Sequence, residues 1–109
     1  MIIEKDGFIH HVFFWLKNPE NAGDYQQLIE GLQKLSGVST IKNLHIGKPA
    51  STRREVIDNS YSVSLLVLFD NKQGHDSYQT DPLHLKFVEE CAHLWSKVQI
   101  YDTIDVNNE

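Results

Sequence analysis

Residues 8–17, with the sequence FIHHVFFWLK, restrict the fold more than any other part of the chain. This segment is rich in aromatic and β-branched residues and is too short for a convincing helix, so it predicts a β-strand. Successive strand residues point to opposite faces of a sheet. Both faces are mostly apolar here: one carries Phe8, His10, Val12, Phe14 and Leu16, and the other carries Ile9, His11, Phe13 and Trp15.

An antiparallel sheet in a small protein usually leaves one face in water. A strand with two apolar faces therefore needs a cover on each side. Helices of the same chain can cover one face, and the simplest cover for the other is a second copy of the protein. The strand thus predicts a homodimer in which two sheets pack face to face.

Hydrophobic patterns place the other elements. A helix is predicted with Asp24 as its N-cap and Gly37 as its end, because the apolar residues between them recur at helical spacing. Further strands are predicted at 38–48, 61–70 and 98–106, and residues 49–60 are expected to form a loop. Residues 70–80 are expected to form a short helix or a turn pair with Asp70 as its cap, and the second main helix is predicted at 81–97.

The resulting order, βαββαβ, predicts an α+β protein with the ferredoxin-like fold: one four-stranded antiparallel sheet with two helices on one face. A chain of 109 residues suits a single domain, 1–109. Since the other sheet face also has an apolar first strand, two such chains would form a dimeric α+β barrel with the helices outside.

Residues 75–87, HDSYQTDPLHLKF, are the densest run of side chains capable of chemistry. Asp81 followed by Pro82 is a strong helix-start signal, because Asp accepts hydrogen bonds from free N–H groups and Pro has no N–H. His84 falls on the apolar stripe of this helix, in its first turn. Burial and the helix dipole both disfavour an imidazolium there. A neutral His84 beside Tyr78 is typical of a base and its orienting partner.

Two motifs resemble those of a known family. They are HHVFFWLK at residues 10–17 and YQTDPLHLKF at residues 78–87, and the order of elements agrees along nearly the whole chain. In these features the chain resembles the stress-responsive A/B barrel (Dabb) family. The resemblance implies a dimeric α+β barrel, in agreement with the two apolar faces of the first strand.

One plant member of that family is a polyketide cyclase, which closes a ring by aldol condensation without a cofactor. There a histidine works as base beside a tyrosine. The resemblance implies these roles for His84 and Tyr78, and a further pocket histidine at His10. Two positions depart from the family pattern: Asp81 replaces the usual histidine before the proline, and the apolar Val63 stands near a third-strand pocket histidine of the cyclase.

Two function classes remain open. In the first, His84, Tyr78 and His10 abstract a proton next to the carbonyl of a small apolar ligand, in an isomerase, lyase or cyclase reaction that needs no cofactor. In the second, the chain is a non-catalytic, stress-associated dimer or small-ligand carrier, and His84 is a core histidine satisfied by one hydrogen bond or by Tyr78. His75 and Asp76 are expected to be capping or solvent-facing residues.

Charge and length argue against several other partners. The net charge is −5 and there is no basic run, so no nucleic-acid surface is expected. The apolar segment 9–16 is far too short to span a bilayer, and no signal-peptide pattern is visible, so we expect no membrane contact and a cytoplasmic location. The single cysteine, Cys91, rules out an internal disulfide and is expected to be a buried apolar residue.

Six histidines raise the question of a metal site. His10 and His11 are neighbours on a strand and should point to opposite faces. His84 and His93 are nine residues apart and should lie on opposite sides of a helix. The chain has no HExxH motif and no cysteine pair. From these spacings we expect no zinc site and name no metal ligand, and loose magnesium binding by surface carboxylates stays open.

Overall fold

The computed structural model describes residues 2–108, so Met1 and Glu109, the ends of the predicted domain, lie outside the described residues. The predicted order of elements is confirmed, and the short segment predicted before Asp81 is a helix. The elements are β1 (Phe8–Leu16), α1 (Ala22–Lys34), β2 (Ile41–Gly47), β3 (Val63–Phe69), α2 (Lys72–Thr80), α3 (Pro82–Cys91) and β4 (Trp95–Ile104), with 3₁₀ turns at Leu35–Gly37 and Ala92–Leu94.

One antiparallel sheet contains the four strands in the order β2-β3-β1-β4. β1 is central, and its Val12 pairs with Leu65 of β3 and with Ile100 of β4. The face of β1 that carries Val12 is buried beneath the helices, whereas the face that begins with Ile9 is half-buried in the single chain. The predicted ferredoxin-like α+β fold is therefore confirmed.

Asparagine, not aspartate, caps the first two helices. The side chain of Asn21 accepts the N–H of Asp24 at 3.0 Å, so the predicted cap Asp24 lies within the first turn of α1. Asn71 accepts the N–H of Gly74 at 2.8 Å, and the predicted cap Asp70 precedes it. Both residue types are good caps. In each case an asparagine and an aspartate stand within a few positions, and their type alone does not separate them.

A β-bulge changes the faces of β2. The strand begins at Ile41 and not at Val38, which is buried in the turn before it. Simple alternation predicted that Ile41 would face away from Leu44 and Ile46. A register shift adds Lys42 as an extra residue, so that all three apolar side chains pack against the core.

The predicted helix 81–97 ends early, at Cys91, and β4 begins at Trp95. Leu94 and Trp95 stand three and four residues after Cys91, so their spacing fits a helix as well as a strand. Tertiary contacts decide between the two. The N–H of Lys17 donates to the carbonyl of Leu94 at 2.9 Å, and this contact brings the chain into the sheet beside β1.

The core lies between the inner sheet face and the helices. Leu28 and Leu32 of α1 are fully buried there. Cys91 is buried as predicted, and its burial raises the pKa of the thiol, which disfavours the reactive thiolate. Among the described residues, no helix has the length and apolar character that a membrane crossing requires.

The outer sheet face carries an aromatic cluster that we define by Phe13, Trp15, Tyr61 and Tyr101. The Phe13 ring lies 4.9 Å from that of Tyr61 and 6.1 Å from that of Tyr101. All four side chains remain at least partly exposed in the single chain. This face therefore has the apolar character that the sequence predicted for the second side of β1.

Candidate functional site

A cavity of about 200 Å³ lies between the inner sheet face and helices α2 and α3. Its walls are mainly apolar side chains of β1, α3 and β4, and its polar lining residues are His10, Tyr78, Gln79 and His84. The structure thus brings together the three residues that the sequence singled out. Tyr78 is central, with its ring centroid 4.5 Å from that of His84 and 5.8 Å from that of His10.

The start of α3 positions His84. Asp81 caps this helix as predicted, accepting the N–H of Leu83 at 2.9 Å, and Pro82 occupies the first turn. The Nδ1 atom of His84 lies 3.2 Å from the carbonyl oxygen of Gln79. A carbonyl only accepts, so Nδ1 carries the proton and Nε2 of the neutral ring keeps a free lone pair.

Burial lowers the pKa of His84, although its hydrogen bond to the Gln79 carbonyl and the charge of Asp81 act in the opposite direction. The neutral ring is therefore favoured, as the sequence predicted. The orienting group differs from the predicted one: a backbone carbonyl, not the Tyr78 hydroxyl, holds the ring. The protonation state and the free Nε2 atom suit a general base.

Tyr78 lies in the last turn of α2, and its side chain is almost completely buried, at 1% exposure. Burial raises its pKa well above the usual 10, so the phenol stays protonated and can donate. The Tyr78 hydroxyl has no hydrogen-bond partner among the described residues. It is nevertheless not fully buried, because Thr40 Oγ1 is the only fully buried and unpaired side-chain oxygen or nitrogen among those residues. The hydroxyl therefore reaches open space, and Tyr78 lines the cavity.

His10 is held by a residue from the far end of the chain. It lies opposite Asp102 in the β1–β4 ladder, and its Nδ1 donates to Asp102 Oδ1 at 2.6 Å. Burial lowers the pKa of His10 and outweighs the hydrogen bond and charge of Asp102, which raise it. The carboxylate fixes the ring and leaves Nε2 as the unprotonated nitrogen.

Sequence reasoning missed Asp102 and misplaced His75. His75 is not a solvent residue: its side chain is 13% exposed, its ring stacks on Phe8 at 4.3 Å, and its centroid lies 5.1 Å from that of His10. Helix spacing could have placed His75 near the site, because His75 stands three residues before Tyr78 and shares its helix face. Asp102 continues the alternate positions of Val98 and Ile100 onto the inner face of β4.

The two departures from the family pattern have simple structural outcomes. Asp81 serves as the cap of α3. Val63 is fully buried on the inner face of β3, opposite Phe14, and is not part of the cavity lining. A wider depression of about 360 Å³ beside β2 and α2 contains neither His84 nor Tyr78 and is lined mostly by polar groups such as Thr40 and Asp70.

Solved structures share this fold. A dimeric ferredoxin-like protein of unknown function from Thermobifida fusca is 18% identical, with a TM-score of 0.77 over 95% of each chain. A Dabb family protein from Mesorhizobium loti is 17% identical, with a TM-score of 0.76 over 93% of this chain and 98% of that one. The hydroxynitrile lyase of Passiflora edulis is 16% identical, with a TM-score of 0.79 over 97% of this chain and 99% of that one.

These low identities show a common fold and leave the chemistry of this chain open. No curated protein matches the sequence. The family model described as the stress responsive A/B barrel domain (Dabb) matches residues 8–105, which is nearly the whole chain. The two sequence motifs and the sheet order of the chain agree with this match. The chain belongs to the stress-responsive A/B barrel (Dabb) family.

Proposed function

We propose that this protein binds a small apolar carbonyl compound in the cavity beside His84 and moves a proton on it without a cofactor, in an isomerase, lyase or cyclase type of reaction. One observation carries the proposal. The Tyr78 hydroxyl and the His84 ring border the same cavity, and neither the hydroxyl nor His84 Nε2 has a hydrogen-bond partner among the described residues.

The proposed step divides the work between these two groups. His84 Nε2 takes the proton from the carbon next to the carbonyl, and the electron pair of the C–H bond moves onto the carbonyl oxygen. The neutral Tyr78 phenol donates a hydrogen bond to this developing oxyanion. His84 then returns its proton to the product. A positioned base contributes roughly 10²–10⁴ in rate, and one oxyanion donor roughly 10²–10³.

His10 supports this arrangement from β1. Its Nδ1–H is committed to Asp102, which fixes the ring beside Tyr78. The fixed ring can accept the hydrogen bond of a substrate hydroxyl through Nε2 or shape the polar end of the cavity. Asp102 thus acts as a positioning residue for His10.

The cavity limits the size of the ligand. Its volume of about 200 Å³ is smaller than the roughly 300–1,000 Å³ typical of pockets for drug-sized molecules. Its polar groups gather around Tyr78, and the remaining walls are apolar. A compact ligand with one carbonyl and an apolar body matches this distribution.

We also propose that two copies pair through their outer sheet faces. The aromatic cluster of that face supports this assembly, and the Thermobifida fusca protein of the same fold is described as dimeric. A single stable monomer at micromolar concentration in equilibrium sedimentation would contradict it. The cytoplasmic location and the 1–109 domain extent stay predictions from the sequence.

The test of the chemistry combines binding and turnover. The His84 ring is followed by NMR during titration with small oxo-compounds, and the same compounds are assayed for proton exchange at the carbon next to the carbonyl. His84→Ala and Tyr78→Phe should each lower exchange by roughly two orders of magnitude or more. His93→Ala, which changes an exposed histidine outside the cavity, is the matched control. Equal exchange in all three variants would refute the proposal.

The non-catalytic carrier remains the second candidate, because His84 and His10 already have structural partners in Gln79 and Asp102. It predicts that His84→Phe keeps both the fold and the affinity for small ligands. If His84→Phe binds a ligand normally and no bound compound exchanges protons in the wild-type protein, the carrier is the better description.

A further inference from the structure

Three side chains that commonly bind metals meet beside the cavity. His10 comes from β1, His75 from α2 and Asp102 from β4, and one donor atom of each lies within 4.8 Å of the others. Distances along the sequence could not reveal this group, because the three residues belong to three separate elements. The expectation of no zinc site came from spacing along the sequence, and it did not take account of residues that meet only in the folded chain.

The two distances from the imidazoles to the Asp102 carboxylate lie close to those of a coordination shell, and the two imidazole donor atoms lie within 4.8 Å of each other. His10 Nδ1 is 2.6 Å from Asp102 Oδ1, and His75 Nε2 is 4.0 Å from Asp102 Oδ2. Ligand atoms bonded to Zn²⁺ at about 2.0–2.2 Å in tetrahedral geometry lie roughly 3.3–3.5 Å apart. One distance must lengthen and the other shorten, each by less than about 1 Å. Both involve the Asp102 carboxylate, whose side chain is partly exposed and can rotate.

The hydrogen bonds of His75 leave its inner nitrogen ready for a cation. Its Nδ1 donates to Asp76 Oδ1 at 3.1 Å, so Nε2 of the neutral ring carries a lone pair. That lone pair faces the Asp102 carboxylate, and it accepts from the side-chain amide of Gln79 at 3.0 Å. A cation would displace this amide. Metal-binding histidines usually donate their other N–H to a carboxylate, as His75 does to Asp76.

We propose that His10, His75 and Asp102 bind one divalent transition-metal ion, with Zn²⁺ as the reference ion. Two imidazoles and one carboxylate that leave a position open form a common donor set for such ions. Binding requires the proton that His10 Nδ1 now donates to Asp102 to move to Nε2, so that the neutral ring coordinates the ion through Nδ1. Phe8 stacks on the His75 ring and Tyr78 packs edge-on against the His10 ring, so aromatic contacts hold both imidazoles in place.

This inference does not rest on the proposed proton transfer at His84. The ion site uses the edge of His10 that faces Asp102, whereas the proposed chemistry uses His84 and Tyr78. Ion binding can therefore be measured in the His84→Ala protein. A chelator-treated protein that keeps its proton exchange would separate the two proposals.

The test is calorimetric titration of the chelator-treated full chain with ZnCl₂ at neutral pH, together with visible absorption after addition of Co²⁺. We expect one ion per chain. His75→Ala and Asp102→Asn should each weaken binding by roughly tenfold or more. Asp76→Asn, which removes the outer partner of His75, should weaken it less, and His93→Ala should leave it unchanged.

Thermal unfolding of each variant without metal checks whether the chain remains folded, and Asp76→Asn tests the site without changing any ligand. No saturable Zn²⁺ binding by the wild-type chain would overturn the proposal. So would binding that survives both His75→Ala and Asp102→Asn, or that falls equally in His93→Ala, because the ion would then be held by surface histidines.

Discussion

The two strands that flank β1 differ sharply on the same sheet face. Phe14 pairs with Val63 of β3 on one side and with Val98 of β4 on the other. Val63 is fully buried, whereas Val98 is 41% exposed. The neighbours of Val12 differ in the same way: Leu65 of β3 is 1% exposed, and Ile100 of β4 is 45% exposed.

The helices explain the difference, because they pack over β1, β2 and β3 and leave the inner face of β4 largely uncovered. The covered half is a core, and the cavity opens where the cover ends. His84 and Tyr78 sit at this boundary, where burial is deep enough to shift their pKa values and access remains for a ligand. The stabilising core and the proposed site for chemistry thus occupy different halves of one sheet face.

Two matched substitutions beside Phe14 test whether the helices cover β3 and β4 to different extents. Val63→Ala should lower the free energy of unfolding by roughly 1.5–3 kcal/mol, because it removes two buried methyl groups and leaves a void. Val98→Ala should cost less than about 1 kcal/mol, because water already reaches that side chain. Urea unfolding measures both. Equal losses would show that β4 is as well covered as β3, as happens if a partner chain reaches it.

Gly31 tests how closely the helices that form the cover approach each other. A Cβ added there would lie 2.7 Å from Cys91 Sγ and 3.2 Å from Phe87 Cδ1, so α1 and α3 must separate slightly. Gly31→Ala should therefore lower stability by about 1–2 kcal/mol, since overpacking outweighs the better helix propensity of alanine.

The Gly31→Ala, Cys91→Ala double variant is the control for that clash. Removing Sγ makes room for the new methyl group, so the double variant should be more stable than the sum of the two single effects predicts. Strictly additive losses would mean that the Cys91 contact is not the cause.

Asp81→Ala addresses the boundary itself. Loss of the hydrogen bond to the Leu83 N–H should cost about 1 kcal/mol of stability. Since this cap fixes the start of α3, the His84 ring should also become less well held against the Gln79 carbonyl. Asp81→Asn keeps a capping oxygen and should restore most of the stability in thermal unfolding. A loss of the same size in both variants would show that the charge matters more than the cap.

The smallest effect is a pH dependence from His84. Burial lowers its pKa below the usual 6.5, so the unfolded chain binds the proton more readily than the folded chain. The stability is therefore complete above pH 6.5 and decreases as the pH falls from there to the lowered pKa. His84→Gln should flatten this decrease in unfolding measurements between pH 7 and pH 5, and His93→Gln should not. Some pH dependence of stability should remain in His84→Gln, because burial also lowers the pKa values of His10 and His11.

Much of the fold was predictable, because apolar residues recur every two positions in a strand and every 3.6 positions in a helix, and these repeats determine which side chains face the core. The buried face of β1 and the start of α3 at Asp81 and Pro82 are confirmed. The bulge at Lys42 and the early end of α3 were not predictable. Both depend on pairing with distant strands, and the residues involved suit either outcome.

Only some residues of the candidate site could likewise be predicted from local sequence. Motif and helix spacing were enough to bring forward Tyr78 and His84, and the structure places both in one cavity with His10. Asp102 could not be chosen in advance, because its importance arises only from its position opposite His10 in the β1–β4 register. Residues that matter through a partner ninety positions away carry no local signature.

The uncovered face of β4 has a consequence for how such a protein changes over time. Substitutions at Val98 or Ile100 alter a wall of the cavity while the tightly packed half stays intact. The preference for the proposed ligand could therefore change through substitutions in β4 with little effect on the stability of the fold.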